Sequence, residues 1–407
     1  MDASENFLAV LLLSALPAAC SRSAALNPSS RQLTPAISDM TENKTPLLSE
    51  ESKTKLDQLL EEAVSSNRNF GGGVFRIESV ERGLLWEGAS GRVSLDGQNI
   101  GPQHAFEVAS ITKTFTAACV LLQYEAGNVD LDAPLSAYLG VTLMRGLWMI
   151  DGEDYSGRIT VRHALNHRSG LADYWSDGPH DHNHENEFAR DFEARPQRVW
   201  QPEELLAYVR RMKPVDIPGG RYHYSDTNYT LLGLLLEKLG SKPLAFVFRE
   251  RLLEPLGMRD TYLSYREPSP NHIIESHRYE KHHDLFARKH QSADWASGGL
   301  VSTATDLIRF LTALENGRLF HNPSTLREMQ SWHPTDIPGV DYGLGMFRVE
   351  LPGSKGQLEG HDGHGNSWLY YWPRRHLAFA GTLNQTENDW WPLVKRAIGI
   401  IEREFPK

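Results

Sequence analysis

Strand-like segments sit at both ends of this chain and helical periodicity fills its middle, and this order restricts the fold more than any other feature. Near the N-terminus, GVFRIES and LLWEGAS are short apolar-rich runs separated by Glu81-Arg82-Gly83, which suits a hairpin. After Gly343 the segments MFRVEL, SWLYYW and LAFAGTLN read as strands again. Between these ends, residues 110–125, TNYTLLGLLLEKLG closing at Gly240, and TATDLIRFLTALENG from Thr303 to Gly317 carry helical spacing. Asp306, three residues after Thr303, predicts a capping-box-like start for the last of them. Leu56, Leu59, Leu60, Ala63 and Val64 recur at i, i+3, i+4, i+7 and i+8 behind Ser49, predicting a capped helix before the first strand. One sheet closed by both chain ends explains the order. The expected fold is α+β, an α/β sandwich: an antiparallel sheet flanked by helices and formed from both chain ends. A mostly helical subdomain is inserted at roughly 130–275. No internal repeat occurs at a fixed period.

The folded body is expected over residues 49–405. Ahead of it, Phe7 to Leu16 is an apolar run too short to span a bilayer and suited to the core of a signal peptide over residues 1–20. The run ends in LPAAC, the setting in which Cys20 of a bacterial lipoprotein is lipidated and membrane-attached. Asp2, Glu5 and Pro17 run against that pattern. Residues 21–48, rich in Ser, Pro, Asn and Thr, read as a flexible linker. The expectation is an exported protein, periplasmic or secreted, with a lipidated Cys20 as the anchored form. The other cysteine, Cys119, lies in the apolar run AACVLL and reads as a core residue, so disulfides are not expected. A net charge of −10 and a pI near 5.9, with no basic run, exclude a nucleic-acid partner.

The chemistry starts at Ser110-Ile111-Thr112-Lys113. On a helix, residues three apart share a face, so the Lys113 amine can stand beside the Ser110 hydroxyl. A helix starting at Ser110 also favours a developing alkoxide at its N-terminus. Serine is a weak nucleophile until its proton is taken, and a desolvated lysine can take it or assist. The motif is weak by itself, since Thr54 and Ser302 are also hydroxyls near helix starts. Two further stretches accompany it: Tyr224-Ser225-Asp226, just before a helix, and Gly360-His361-Asp362-Gly363, which begins the C-terminal strand region.

In that company the sequence resembles the serine beta-lactamase and penicillin-binding-protein superfamily. It is similar to the branch of class C beta-lactamases, D-alanyl-D-alanine carboxypeptidases, D-aminopeptidases and related esterases. The resemblance covers about residues 50–400 and rests on FEVASITKTFTAACVLLQYEAGNVDLDAPL, ITVRHALNHRSGLADYW, YHYSDTNYTLLG, ASGGLVSTATDLIRFL, YGLG and LNQ. It implies Ser110 as nucleophile, Lys113 as its partner and Tyr224 as proton shuttle, with either of the last two as general base. It also implies an oxyanion hole from the backbone N–H groups of Ser110 and His364, with Gly363 allowing close approach to substrate. No cofactor or metal is implied.

The sequence departs from the family at its substrate-binding positions. His361 stands where beta-lactamases carry lysine, and Asp362 where they carry a hydroxyl. Were Asp362 to point into the cleft, it would repel acidic substrates such as beta-lactams; the alternative is a local pairing with a His or Arg. Asp226 replaces a common Asn. Tyr174 lies where class C enzymes place a Gln that reads the acyl side chain. Ser367 occupies a frequent glycine position without a mechanistic reading. The expected activity is hydrolysis of a small-molecule or peptide ester or amide through an acyl-enzyme. A DD-carboxypeptidase or weak class C-type beta-lactamase is the alternative, and a non-catalytic wall-peptide sensor a further one. The run PHDHNHE, with His180, His182 and His184, lacks metallo-hydrolase spacing and reads as a loop, as do His282 and His283. Trp390-Trp391 reads as packing.

Overall fold

Alternation along three strands shows how the chain is layered. In the computed structural model, which describes residues 48–65, 71–180, 186–280, 283–353, 355–386 and 388–405, every residue of Ser367–Trp372 and Leu377–Leu383 is buried. Leu369, Tyr371, Ala378 and Ala380 face one core together with Val74, while Trp368, Tyr370, Leu377 and Phe379 face another with Phe75 and Ile77. A sheet covered on both faces has no polar side, which is why SWLYYW and LAFAGTL read as unbroken apolar runs.

Eight strands form this sheet, in the order His333–Pro334, Val340–Tyr342, Phe347–Glu350, Gln357–Gly363, Ser367–Trp372, Leu377–Leu383, Gly72–Ser79, Leu84–Gly91. All neighbours are antiparallel. The two chain ends meet where Gly72–Ser79 pairs with Leu377–Leu383, Val74 standing opposite Thr382. The expected joining of both termini in one sheet is therefore observed, as is the hairpin around Gly83, whose φ is +54°.

Helices Glu50–Ser65 and Trp391–Glu404 cover the outer face. Ser49 Oγ accepts from Ser52 N–H at 3.2 Å, so it caps the first helix as expected. The Glu404 carboxylate ties the two together by accepting from Ser49 N–H at 2.8 Å and Ser49 Oγ at 2.9 Å. Helices Ala304–Glu315 and Thr112–Glu125 lie in the inner core, with Leu307, Ile308, Leu311, Phe115 and Leu121 buried. Each such side chain contributes about 1.5–3 kcal/mol. Thr303 caps Ala304–Glu315 by accepting from Asp306 N–H, but the Asp306 carboxylate does not return to Thr303. It accepts instead from Asp260 N–H and Thr261 Oγ1, so the expected box is half-formed.

Between residues 130 and 275 the structure has short helices, including Val161–Leu165, Glu187–Ala194 and Pro202–Val209, and the longer Asp226–Gly240. Their apolar residues join the same core as the inner sheet face. His361-Asp362-Gly363 closes the strand Gln357–Gly363 rather than opening a strand region. The leader-like residues 1–20 with Cys20, the linker up to residue 47, and His182, His184 and His282 lie outside the described residues. Among the described residues no helix is long and apolar enough to cross a membrane.

Candidate active site

Ser110 stands on a strained turn. A 3₁₀ turn, Ala109–Ile111, runs into helix Thr112–Glu125, and Ala109 has φ +45°. A left-handed alanine costs about 1–2 kcal/mol, so the surroundings must hold it. Val108 N–H donates to Leu300 O at 3.1 Å, Ile111 N–H to Val108 O at 3.2 Å, and Ser367 Oγ to Val108 O at 2.9 Å. Ser367, unread from the sequence, thus pins the sheet to the residue before the turn.

Lys113 is fully buried. Its Nζ lies 3.0 Å from Ser110 Oγ, 2.9 Å from Ser297 O and 2.6 Å from Asp226 Oδ1. Two of these oxygens accept hydrogen bonds from the amine, and the Asp226 carboxylate stands beside it as an ion-pair partner. The segment supplying Ser297 O is shaped for it: Trp295 (φ 39°, ψ −110°) breaks helix Gln291–Gly298. Beyond the break, Ala296 O accepts from Thr116 Oγ1 at 2.7 Å, and Leu300 N–H donates to Thr112 Oγ1 at 3.1 Å. The lysine helix is thereby stitched to the strand behind it. Asp226 enters the site as the first residue of Asp226–Gly240, where a carboxylate also suits the helix dipole.

The Tyr224 ring lies 4.7 Å from Lys113 Nζ. Its hydroxyl has no hydrogen-bond partner of ordinary geometry. Burial and then the Asp226 charge push its pKa well above 10, and Ser110 pulls in the opposite direction; at neutral pH it is a phenol. His167 stacks on it at 4.2 Å. The His167 Nδ1 accepts from Ser225 N–H at 3.0 Å, and burial followed by the Lys113 charge keeps the ring neutral. This supporting histidine was embedded in the motif HRSG, with no signal that separated it from a core residue.

The third motif behaves differently from the sequence reading. His361 is buried, its Nδ1 2.6 Å from Asp362 O and its Nε2 3.2 Å from Tyr342 OH. Burial, then the Lys113 charge, lowers its pKa to about 3. Asp362 does not line the cavity: its Oδ1 accepts from Tyr370 OH at 2.8 Å, and burial pushes its pKa up to about 6. Neither repulsion of a substrate carboxylate nor pairing with a His or Arg is found, so the case against acidic substrates loses its basis. Gly363 is needed for contact with protein rather than substrate. A Cβ there would lie 2.4 Å from Val108 O and 2.3 Å from Ser367 Oγ. That close approach sets His364 next to the Ser110 turn.

Asp362→Asn gives a direct check. The carboxyl's folded pKa of about 6 exceeds its unfolded value near 3.9, so the folded state holds the proton more tightly and wild-type stability falls as pH rises from about 4 to about 6. Asparagine keeps an acceptor for Tyr370 and removes this slope. Other carboxyls whose pKa burial raises, such as Asp294 and Asp173, add slopes of the same sign. Urea melts from pH 4 to 7 should therefore show a shallower slope in the variant than in wild type, with the preference between anionic and neutral acyl donors unchanged.

A cavity of about 300 Å³ opens on Ser110, Tyr224, Asp226 and His364. Tyr174, expected at the acyl group, is fully buried and donates to Ala293 O at 2.9 Å; its neighbours Asp173 and Trp175 line the cavity instead. Trp175, Phe192 and Leu285 form an apolar wall. Asp173 accepts from Asp226 N–H at 3.0 Å and Ser176 Oγ at 2.7 Å, and burial together with Asp226 raises its pKa. Half-buried Asp294 also lines the cavity; burial holds it up at about 6, against the pull of His290. Arg278 and His290 also line the cavity, as do Glu193, Glu280 and Arg288, and the first two share Glu107, one residue behind Val108. Burial would raise the Glu107 carboxyl, but these cations outweigh it and hold it at about 2. None of these stood out in the sequence, because each is an isolated polar residue until folding gathers them. His180, from the histidine-rich run, pairs its Nε2 with Ser176 O at 3.0 Å.

A family model described as beta-lactamase matches residues 78–397. Penicillin-binding protein 4* of Bacillus subtilis (strain 168) is 25% identical over 322 residues, covering 75% of this chain and 65% of that protein. A D-aminopeptidase of Brucella ovis is 26% identical over 272 residues, 66% of this chain and 46% of the relative. The chain thus spans about half to two thirds of the length of these curated relatives. The solved structure of a D-stereospecific amidohydrolase from Streptomyces sp. superposes with a TM-score of 0.69 at 29% identity, over 87% of this chain and 98% of the other.

Proposed function

The chain belongs to the beta-lactamase family, a family of hydrolases here, and on that premise we propose that it cleaves an ester or amide through an acyl-enzyme on Ser110. The observation that carries this reading is the 3.0 Å contact between Lys113 Nζ and Ser110 Oγ at the floor of the cavity. Lys113 donates to Ser110 Oγ and Ser297 O and is paired in charge with Asp226, so its role is to hold the alkoxide by charge as it forms. The Ser110 proton then moves onto the Tyr224 oxygen as the Tyr224 hydroxyl, otherwise unpartnered, gives its own proton to the leaving group, so the phenol is restored in the same step. A raised Tyr224 pKa favours passage of the proton over storage of a phenolate. The Ser110 and His364 N–H groups serve as the oxyanion hole, a pair supported by the packing of Gly363 on Val108 and Ala109. Water then attacks the acyl carbonyl, giving a proton to the Tyr224 oxygen as Tyr224 gives its own to Ser110 Oγ, and the Oγ–acyl bond breaks to release the acid and the free serine.

The acyl donor carries a free amine beside its scissile carbonyl and an apolar side chain. Asp294 supplies negative charge on the lining, Asp226 being already paired with Lys113, and Trp175, Phe192 and Leu285 supply apolar surface. The aminopeptidase and amidohydrolase relatives support the same class. Labelling by a fluorophosphonate probe, located by mass spectrometry, tests the nucleophile; an unlabelled Ser110 in active protein would sink the assignment. Amino-acid p-nitroanilides and their N-acetyl counterparts test the amine. The free amines should react at least about tenfold faster in kcat/KM, a difference of ~1.4 kcal/mol. Because Asp294 protonates below about pH 6, that preference should shrink as pH falls through 6. Equal turnover of both forms at every pH would remove the amine from the proposal.

A further inference from the structure

We propose that Glu107 is a positioning residue for acyl transfer, clamping through Arg278 and His290 the segments that present Ser110, His364 and Lys113. The proposal rests on the assignment of Ser110 as nucleophile. Glu107 ends the strand Phe106–Glu107, three residues before Ser110, and its side chain is only 6% exposed. One oxygen, Oε2, accepts from Arg278 Nη1 at 3.2 Å and from His290 Nε2 at 2.9 Å. His290 Nδ1 meets Arg288 O at 3.2 Å, so both ring nitrogens face acceptors, as in an imidazolium.

Each cation belongs to a different wall of the site. Arg278 fills the space beside Gly365, where a Cβ would lie 2.3 Å from its Nε. Gly365 follows His364 directly and has φ +92°, so the turn is built around this guanidinium. His290 immediately precedes Gln291–Gly298, whose Ser297 O receives the Lys113 ammonium. Glu107 itself leads into the strained Ala109–Ser110 turn. A single carboxylate therefore joins three segments, adding a charged link to the Lys113–Ser297, Thr116–Ala296 and Ser367–Val108 contacts between them. Without its charge, two cations would remain side by side in a poorly hydrated place, and their repulsion would move the His364 turn relative to Ser110. Glu107 itself does not line the cavity, although Arg278 and His290 do, so its own effect must fall on geometry.

The experiment compares Glu107→Gln, Arg278→Met and Arg278→Lys with wild type, measuring single-turnover acylation by a p-nitrophenyl ester, KM and thermal midpoint. A displacement of about 1 Å can cost ~10²-fold. Glu107→Gln and Arg278→Met should each slow acylation by about 10–100-fold with KM within about twofold, and Arg278→Lys should recover most of the rate. A structural role alone would lower the thermal midpoint and leave acylation of the folded fraction unchanged; that result overturns the proposal, as does a rise in KM at constant kcat. If Glu107→Gln does not fold, the two Arg278 variants decide by the same criteria. A wild-type protein that forms no adduct on Ser110 would defeat the nucleophile assignment. An adduct in wild type with unimpaired variants would defeat the clamp alone.

Discussion

Ser110→Ala is expected to lower kcat by about 10⁶-fold, as removal of the nucleophile does in other serine hydrolases, and to abolish the covalent adduct. Ser176, which also lines the cavity, donates its hydroxyl to Asp173 at 2.7 Å, and no lysine lines the cavity among the described residues. Ser176→Ala should therefore keep the adduct. Ser110 is half-buried at the cavity floor rather than packed in the core, so its loss should change stability by no more than about 0.5 kcal/mol. Intact-protein mass spectrometry and steady-state rates check both parts. Residual turnover within tenfold of wild type in folded Ser110→Ala would end the acyl-serine mechanism.

Lys113→Met should reduce kcat by about 10²–10⁴-fold, the range for a group that assists proton transfer or stabilises the resulting charge. Two losses combine: Ser110 Oγ loses its ammonium neighbour at 3.0 Å, and Asp226 loses its partner at 2.6 Å. Removing one member of a buried pair typically costs ~3–5 kcal/mol. Asp226 retains 15% side-chain exposure and lines the cavity, so water can reach it and the cost should fall below that range. Because Ser110 and Lys113 act as a unit, the double variant should be scarcely slower than Ser110→Ala. Additive losses, measured by the four-member cycle, would mean that Lys113 acts elsewhere than on the serine.

Legibility in the sequence followed how local each feature is. Ser110 and Lys113 are three residues apart on one helix start, so their meeting is a property of helical pitch. The two terminal groups of strands were readable because burial on both faces leaves no polar alternation in SWLYYW and LAFAGTL. Tyr174 was misjudged by a single residue: Asp173 and Trp175, on either side of it, face the cavity while its own ring enters the core. Asp362 was misjudged for a related reason. Successive strand residues point to opposite faces, and only the Tyr370 contact reveals which face it took.

Tyr224 entered through the resemblance to the superfamily; what the sequence by itself determined is the layered α+β architecture with its shared sheet, and the Ser110–Lys113 pair. These depend on periodicity and on short spacings, which side-chain chemistry dictates locally. Tertiary structure alone decided what surrounds them: Ser297 O and Asp226 as acceptors for Lys113, Ser367 holding the strained turn, and the Glu107–Arg278–His290 cluster behind it. Those contacts join residues separated by up to 259 positions. No local preference encodes such a meeting; it follows from how buried charges and backbone groups find partners once the core has closed.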